Sequence, residues 1–264
     1  TDLNQDGVDD LVLVGEWMPI TTLQNRSGQL VNTTEEMGLA KTDGLWNTIY
    51  LKDLNEDGID DWLVGNLGSN NFFEKGMKMF VNDFDQNGSI EQLICKQIDG
   101  QYYPIVDKEE LISQLPALKK KVVLFETYSK AKMNDLFTNE ELDKSYQYEL
   151  NELKSSLFLS SGYKFERQDL PNEAQYAPIY AFEFIQKNQT KGILVGGNQY
   201  LVKPQFGKHD ASKGWYIPYE LINNKLKWKS IKSLRVNGQI RQINWLESLE
   251  CLLVGLNDKE LNCY

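Results

Sequence analysis

The sequence predicts an all-β protein made of repeated antiparallel units. Three observations predict it: a near-duplicated acidic loop, a spaced series of apolar runs bounded by turn residues, and a composition of 13 Tyr, 11 Phe and 6 Trp beside 19 Gly. Aromatics and glycine in that proportion suit short strands joined by tight turns better than a helical bundle. At 264 residues the chain can bury a sizeable core without disulfide staples.

The repeat comes first. DLNQDGVDDLVLVG runs from Asp2 to Gly15 and DLNEDGIDDWLVGN from Asp53 to Asn66, with DFDQNGSIEQLI from Asp83 to Ile94 as a third copy. A period of about fifty residues points to repeated β units. Turn residues 25–28 divide ITTLQNRSGQLVN into a hairpin, and residues 160–162 do the same for SSLFLSSGYKFERQ. Apolar runs at 179–184, 193–195, 215–219, 239–245 and 251–254 continue as a meander, giving about four units of antiparallel sheet.

One segment, 104–153, breaks this pattern. It is rich in Lys, Glu and Leu, and Leu136, Phe137, Leu142 and Tyr146 fall at helical spacing, which predicts a helical insertion of two or three helices. Asp107 with Glu110 caps the first, Leu115-Pro116 ends it, and Thr138 with Glu141 forms a second capping box. The segment is expected either to contact a partner or to cover a sheet edge.

The loops carry the chemistry. On a nine-position frame Asp2, Asn4, Asp6 and Asp10 fall at positions one, three, five and nine, with Gly7 at six. The second loop places Asp53, Asn55, Asp57 and Asp61 there with Gly58, and the third Asp83, Asp85, Asn87 and Glu91 with Gly88. Alternate side chains of a tight loop converge, a glycine at six permits positive φ, and the position-seven carbonyls of Val8, Ile59 and Ser89 add a further oxygen. An oxygen-only shell selects Ca²⁺, in about three sites. Asx turns would account for one such loop but not for three that each retain the ninth-position acid. Asp9 and Asp60, at position eight, are expected to face away from the ion. An EF-hand is excluded, because position twelve is Leu13, Val64 or Ile94 inside a β-prone run and not a Glu entering a helix.

Acidic loops followed by DLVLVG and DWLVGN resemble the FG-GAP/VCBS repeats of integrin α-subunit propellers and secreted bacterial proteins. The segments LPNEAQYAPIYAF and GGNQYLVKPQFGKHDASKGW further resemble the C-terminal propeller part of large Bacteroidetes surface proteins that carry VCBS repeats and often an ASPIC/UnbV module, which is itself absent. The resemblance implies one β-propeller fragment over 1–264, with an incomplete ring that neighbouring sequence or a partner chain completes. It also implies that each loop joins the two inner strands of a blade. In the segment 184–198 Lys187, Asn188 and Lys191 stand where acids belong, so that unit is expected to have lost its ion, and Ile243 to Glu247 lacks the spacing as well.

A net charge of −10 repels a phosphate backbone and excludes nucleic acid as the natural partner. Cys95, Cys251 and Cys263 show no zinc spacing; they are read as buried thiols, with a Cys251–Cys263 bridge as the alternative that fits an oxidising compartment. No apolar run is long enough to span a bilayer. The chain opens on Thr1-Asp2-Leu3 and is read as a mature piece of something longer. The one histidine, His209, lies beside Asp210 and Ser212, but neighbours on one strand or turn project in different directions, so no catalytic residue is assigned. The expected role is an extracellular, surface-exposed scaffold or adhesion module for a protein or glycan. A carbohydrate-active enzyme or a lectin is the alternative, with Tyr102, Tyr103, Trp215 or Tyr216 as stacking platforms.

Overall fold

A computed structural model describes residues 1–161, 164–187 and 190–264. Strands take 42% of the chain and helices 14%, so the protein is mostly β as expected. Two compact units divide it: residues 1–72 with 152–264, and residues 73–151.

In the larger unit the first sheet joins β1 (Leu11–Leu13) to β3 (Thr21–Arg26) and β4 (Gln29–Asn32), while β2 (Glu16–Met18) pairs with β5 (Gly44–Leu45) as a two-stranded ribbon. The second sheet begins with β6 (Thr48–Lys52) and β7 (Asp61–Gly65). The smaller unit then intervenes, with β8 (Lys78–Asn82), β9 (Glu91–Ile98), β10 (Gln101–Pro104) and β11 (Tyr146–Glu149) in the order β10-β9-β8-β11. The second sheet resumes with β12 (Ser156–Ser160) and β13 (Phe165–Asp169), in the order β13-β12-β7-β6. A third sheet follows from β14 (Ile179–Lys187), β15 (Thr190–Gly197), β16 (Trp215–Ile222) and β17 (Lys225–Trp228), with β18 (Lys232–Ser233) also on β16. The fourth holds β19 (Ile240–Leu246), β20 (Cys251–Leu256) and β21 (Asn262–Cys263). All strand pairings are antiparallel. No closed barrel or propeller is formed among the described residues.

Both expected hairpins form, β3–β4 around Ser27-Gly28 and β12–β13, although Gly162 of the second turn lies outside the described residues, as does Asn188. The five apolar runs become β14, β15, β16, β19 and β20.

The four sheets of the larger unit pack in succession, because alternate residues of each middle strand point to opposite faces. Val12 of the first sheet and Ile20, just before β3, meet Trp62, Val64 and Phe158 of the second. Leu63, Leu157 and Leu159 of the second meet Phe182, Ile193 and Val195 of the third. Ala181 and Leu194 of the third meet Ile243, Leu252 and Val254 of the fourth. The second and third sheets thus each have a front that faces the next sheet and a back that faces the one before.

The tripeptide Leu-Val-Gly recurs in β7, β15 and β20, at 63–65, 194–196 and 253–255. In the first two the asparagine that follows shortly afterwards, Asn66 or Asn198, is buried. Asn66 Oδ1 accepts the Leu45 and Leu67 N–H groups while Nδ2 donates to Glu152 O. Asn198 Nδ2 donates to the carbonyls of Ser212 and Gly238, and its Oδ1 accepts the Ser212 N–H. These amides satisfy loop backbone that sheet ladders leave unpaired.

In the smaller unit the helices lie between β10 and β11: α1 (Lys108–Gln114), α2 (Phe125–Tyr128), α3 (Met133–Leu136) and α4 (Asn139–Lys144). The expected caps form, since Asp107 Oδ1 accepts the Glu110 N–H, Leu115 ends α1, and Thr138 and Glu141 make a reciprocal capping box. Leu111, Met133, Leu136 and Leu142 bury against Phe80 and Leu93 of the sheet and Phe84 of the third acidic loop. The helical reading of Tyr146 is corrected: α4 ends at Lys144, and Tyr146 opens β11, pairing with Val81. Four residues of alternating Tyr fit an edge strand better than a helical turn. Cys251 and Cys263 form a disulfide across β20 and β21, which corrects the buried-thiol reading for that pair, while Cys95 is a buried free thiol.

At Gly65 the second sheet approaches the third closely, and an added Cβ there would lie 2.6 Å from Ile179 O. Gly65→Ala is expected to lower stability by about 1–3 kcal/mol through overpacking. Thermal and urea melts of the variant against wild type check this.

Candidate metal centres

The three loops adopt one conformation. Position four is left-handed in each, at Gln5 (φ 58°), Glu56 (65°) and Gln86 (58°), and so is the glycine at six, Gly7 (86°), Gly58 (87°) and Gly88 (87°). A Cβ on any of these glycines would meet nothing within 4 Å, so backbone angle and not space demands glycine there.

The same hydrogen bonds hold each bend. The position-one carboxylate accepts the glycine N–H through one oxygen, Gly7 to Asp2 at 2.8 Å, Gly58 to Asp53 and Gly88 to Asp83 both at 2.9 Å. Its other oxygen accepts the position-five N–H of Asp6, Asp57 or Asn87. That same N–H also reaches the position-three oxygen of Asn4, Asn55 or Asp85. The position-five side chain accepts the N–H of Val8, Ile59 or Ser89. These donors fix where the side-chain oxygens of positions one, three and five sit. Val8, Ile59 and Ser89 are therefore seen as donors, through their N–H groups.

The ninth-position acids do more than their spacing signalled. Asp10, Asp61 and Glu91 each accept the N–H of position two of their own loop, from Leu3 at 2.9 Å, Leu54 at 3.0 Å and Phe84 at 3.0 Å. Through its second oxygen Asp10 accepts the Asn25 N–H in β3, and Asp61 accepts the Ser160 N–H in β12, both at 2.8–2.9 Å. The acid thus ties its loop to the adjacent strand. The only hint in the sequence was that this position stays acidic in all three copies. Asp61 is fully buried, and burial, opposed by its three backbone donors and helped by Asp57, pushes its carboxyl up to about 6.

Among the described residues Asp83, Asp85 and Glu91 form the group of three acids with ligand atoms within 4.8 Å of one another. In the first two loops position three is Asn and position five Asp, so each bend has three carboxylates, Asp2, Asp6 and Asp10 or Asp53, Asp57 and Asp61, beside one amide oxygen. Among the described residues no Lys or Arg forms an ion pair with the acids at positions one, three or five. Oxygen-only donors held by backbone and left without a cationic side chain fit a hard dication.

The first two loops stand beside one cleft of about 240 Å³, lined by Asp2, Gln5, Gly58, Asp60, Trp62 and Phe165 among others. Asp60, expected to face away from an ion, lines this cleft. Position twelve lies in a strand in every loop, at Leu13 of β1, Val64 of β7 and Ile94 of β9, so these are strand-flanked loops as the sequence required. In the third sheet β14 and β15 pair from Lys187 and Thr190, with Lys191 reaching across to Glu56 of the second loop.

The other candidates are not assembled. Among the described residues neither ring nitrogen of the buried His209 has a hydrogen-bond partner, and the Ser212 hydroxyl accepts the Gly214 N–H, so the two residues are not seen as a nucleophile–base pair. Of the aromatic platforms, Tyr102 packs edge-on to Phe80, Trp215 packs on the core of the second and third sheets, and Tyr216 on that of the third and fourth. All four, with Tyr103, are half-buried.

Because Asp61 anchors two elements, Asp61→Ala is expected to strand the Leu54 and Ser160 N–H groups and to lower stability by about 1–3 kcal/mol with or without calcium. Paired melts in calcium and in chelator read this directly.

No curated protein matches the chain. Residues 2–64, from the first acidic loop through nearly all of β7, match the family model of the FG-GAP-like repeat.

Proposed function

We propose that the chain is a calcium-binding repeat module of the FG-GAP/VCBS kind, part of a β-propeller, that acts as a binding or scaffold element for a protein or glycan. The observation that carries this reading is the common geometry of the three loops, which gathers acidic and amide oxygens around each bend. Asp2, Asn4, Asp6 and Asp10 would hold one ion, Asp53, Asn55, Asp57 and Asp61 a second, and Asp83, Asp85, Asn87 and Glu91 a third, with the carbonyls of Val8, Ile59 and Ser89 completing the shells. Bound there, calcium neutralises the crowded oxygens and stiffens the bends without reacting.

Front-to-back succession of four sheets supports a propeller arrangement, in which such sheets are blades. The Cys251–Cys263 disulfide supports an oxidising location, and millimolar calcium outside cells suits loops of this type. A bacterial cell surface of the Bacteroidetes kind, within an outer-membrane or adhesion assembly, is the setting that the sequence resemblance favours. No helix is long and apolar enough to cross a membrane among the described residues.

At dissociation constants of about 10⁻⁴–10⁻³ M and calcium near 1 mM, each ion adds roughly 0.4–1.4 kcal/mol. Asp57→Ala removes an exposed loop donor whose backbone partner water can serve, so it is expected to lower the melting temperature in calcium and scarcely to change it in chelator. An equal loss in both conditions counts against the metal. A glycan array combined with hydrolysis assays separates a scaffold, which turns over nothing, from a carbohydrate-active enzyme.

A further inference from the structure

The helical segment between β10 and β11 turns one bend outward. Val123, Leu124, Phe125, Glu126 and Thr127 are exposed one after another. A strand lying on a core hides alternate residues and a helix hides one in three or four, so five in succession mark backbone that projects from the surface. Val123 is 66% exposed, Leu124 61% and Phe125 63%, and nowhere else among the described residues do three large apolar side chains in a row stand in solvent.

The fold holds this projection in place. Val122 before it and Ala131 after it are buried in the core of the smaller unit. Lys108, itself buried, donates through Nζ to Val123 O at 2.9 Å and sets its ammonium 4.5 Å from the centre of the Phe125 ring. Leu124 O accepts the Tyr128 N–H, and Phe125 O accepts the Ser129 N–H. All three carbonyls of the apolar run are therefore satisfied within the chain, which is what lets backbone leave water at low cost.

The charge around the bend is opposite to that of the rest of the chain. Residues 117–132 hold five lysines, Lys119, Lys120, Lys121, Lys130 and Lys132, against the single acid Glu126, a net +4. The whole chain carries −10, so the remainder carries −14. Even with Asp107, Glu109 and Glu110 at the start of α1 counted in, together with Lys108, residues 107–132 total +2. Lys121 donates to Leu136 O and Lys130 pairs with Glu126. Lys119 and Lys120 are exposed and, among the described residues, form no ion pair.

We infer that this bend attaches the chain to an anionic lipid bilayer: Val123, Leu124 and Phe125 enter the boundary between headgroups and acyl chains, and Lys119 and Lys120 meet the headgroup phosphates. A fluid bilayer accepts a projecting apolar tip without a preformed cavity, whereas a protein partner needs a matching pocket. A negative surface attracts the lysines, and acids elsewhere in the chain that lie beyond a Debye length of about 8–10 Å are screened from cancelling that attraction. None of these residues is a loop acid, so the attachment stands or falls apart from calcium.

Flotation of the full chain tests this, with vesicles of equimolar phosphatidylglycerol and phosphatidylcholine against vesicles of phosphatidylcholine alone. Wild type is expected to float with the anionic vesicles, to stay behind with the neutral ones, and to be released by raised salt. Leu124→Glu is expected to cut the partition coefficient at least about tenfold. Lys119→Gln combined with Lys120→Gln is expected to cut it about thirtyfold, or about fivefold per lysine. All three side chains are exposed, and circular dichroism checks that each variant is folded. Wild type that does not float with the anionic vesicles overturns the inference, and so does flotation that both variants retain at wild-type strength. Wild type that ignores the vesicles but binds immobilised polyglutamate through the same residues overturns it as well, because the bend is then a site for an acidic polypeptide.

Discussion

Carboxylates and amide oxygens drawn into a bend of nine residues repel one another, and that repulsion is the constraint on which the rest of the structure depends. In the third loop three acids offer oxygens within 4.8 Å of one another. Like charges at such a distance interact by about 3–4 kcal/mol at an effective dielectric near 20. The bend holds them there with backbone N–H groups, and left-handed turns at positions four and six aim those groups inward. A hard cation among the oxygens would relieve that repulsion, and this is the physical ground of the calcium proposal.

The ninth-position acid links this chemistry to the fold. Asp10 and Asp61 face the loop with one oxygen and the neighbouring strand with the other, so the bend and that strand hold each other in register. Register matters because a slip of one residue would exchange front for back. Leu13-Val14-Gly15 illustrates this: the tripeptide of the later sheets is present, but one residue further from the acid, and the faces follow the acid. Strand order then builds outward from the middle strands, with fronts and backs interlocking through Trp62, Leu63, Ile193, Leu194 and Leu252.

Much of this was legible from residues alone. The loop frame, the glycine φ, the strand-flanked setting of the loops, the hairpin at Ser27-Gly28 and the caps at Asp107 and Thr138 all rest on local interactions, which short sequence windows contain. What was hidden depends on partners far along the chain. β7 and β12 pair across the whole of the smaller unit, so the second sheet could not be recognised as one sheet, nor the third loop as a member of the intervening unit. Tyr146 was misread because a brief alternating run imitates helical spacing when it follows a true helix. The second bond of each ninth-position acid, to Asn25 or Ser160, needs the neighbouring strand in place before it can be seen.

The account's central claim is that each acidic bend encloses a calcium ion. Equilibrium dialysis of the full chain against radioactive calcium counts those ions without reference to stability or partner. Three ions per chain at saturation, falling to two when Asp85 is replaced by Ala, is the result the account predicts. No bound calcium at millimolar free concentration would contradict it.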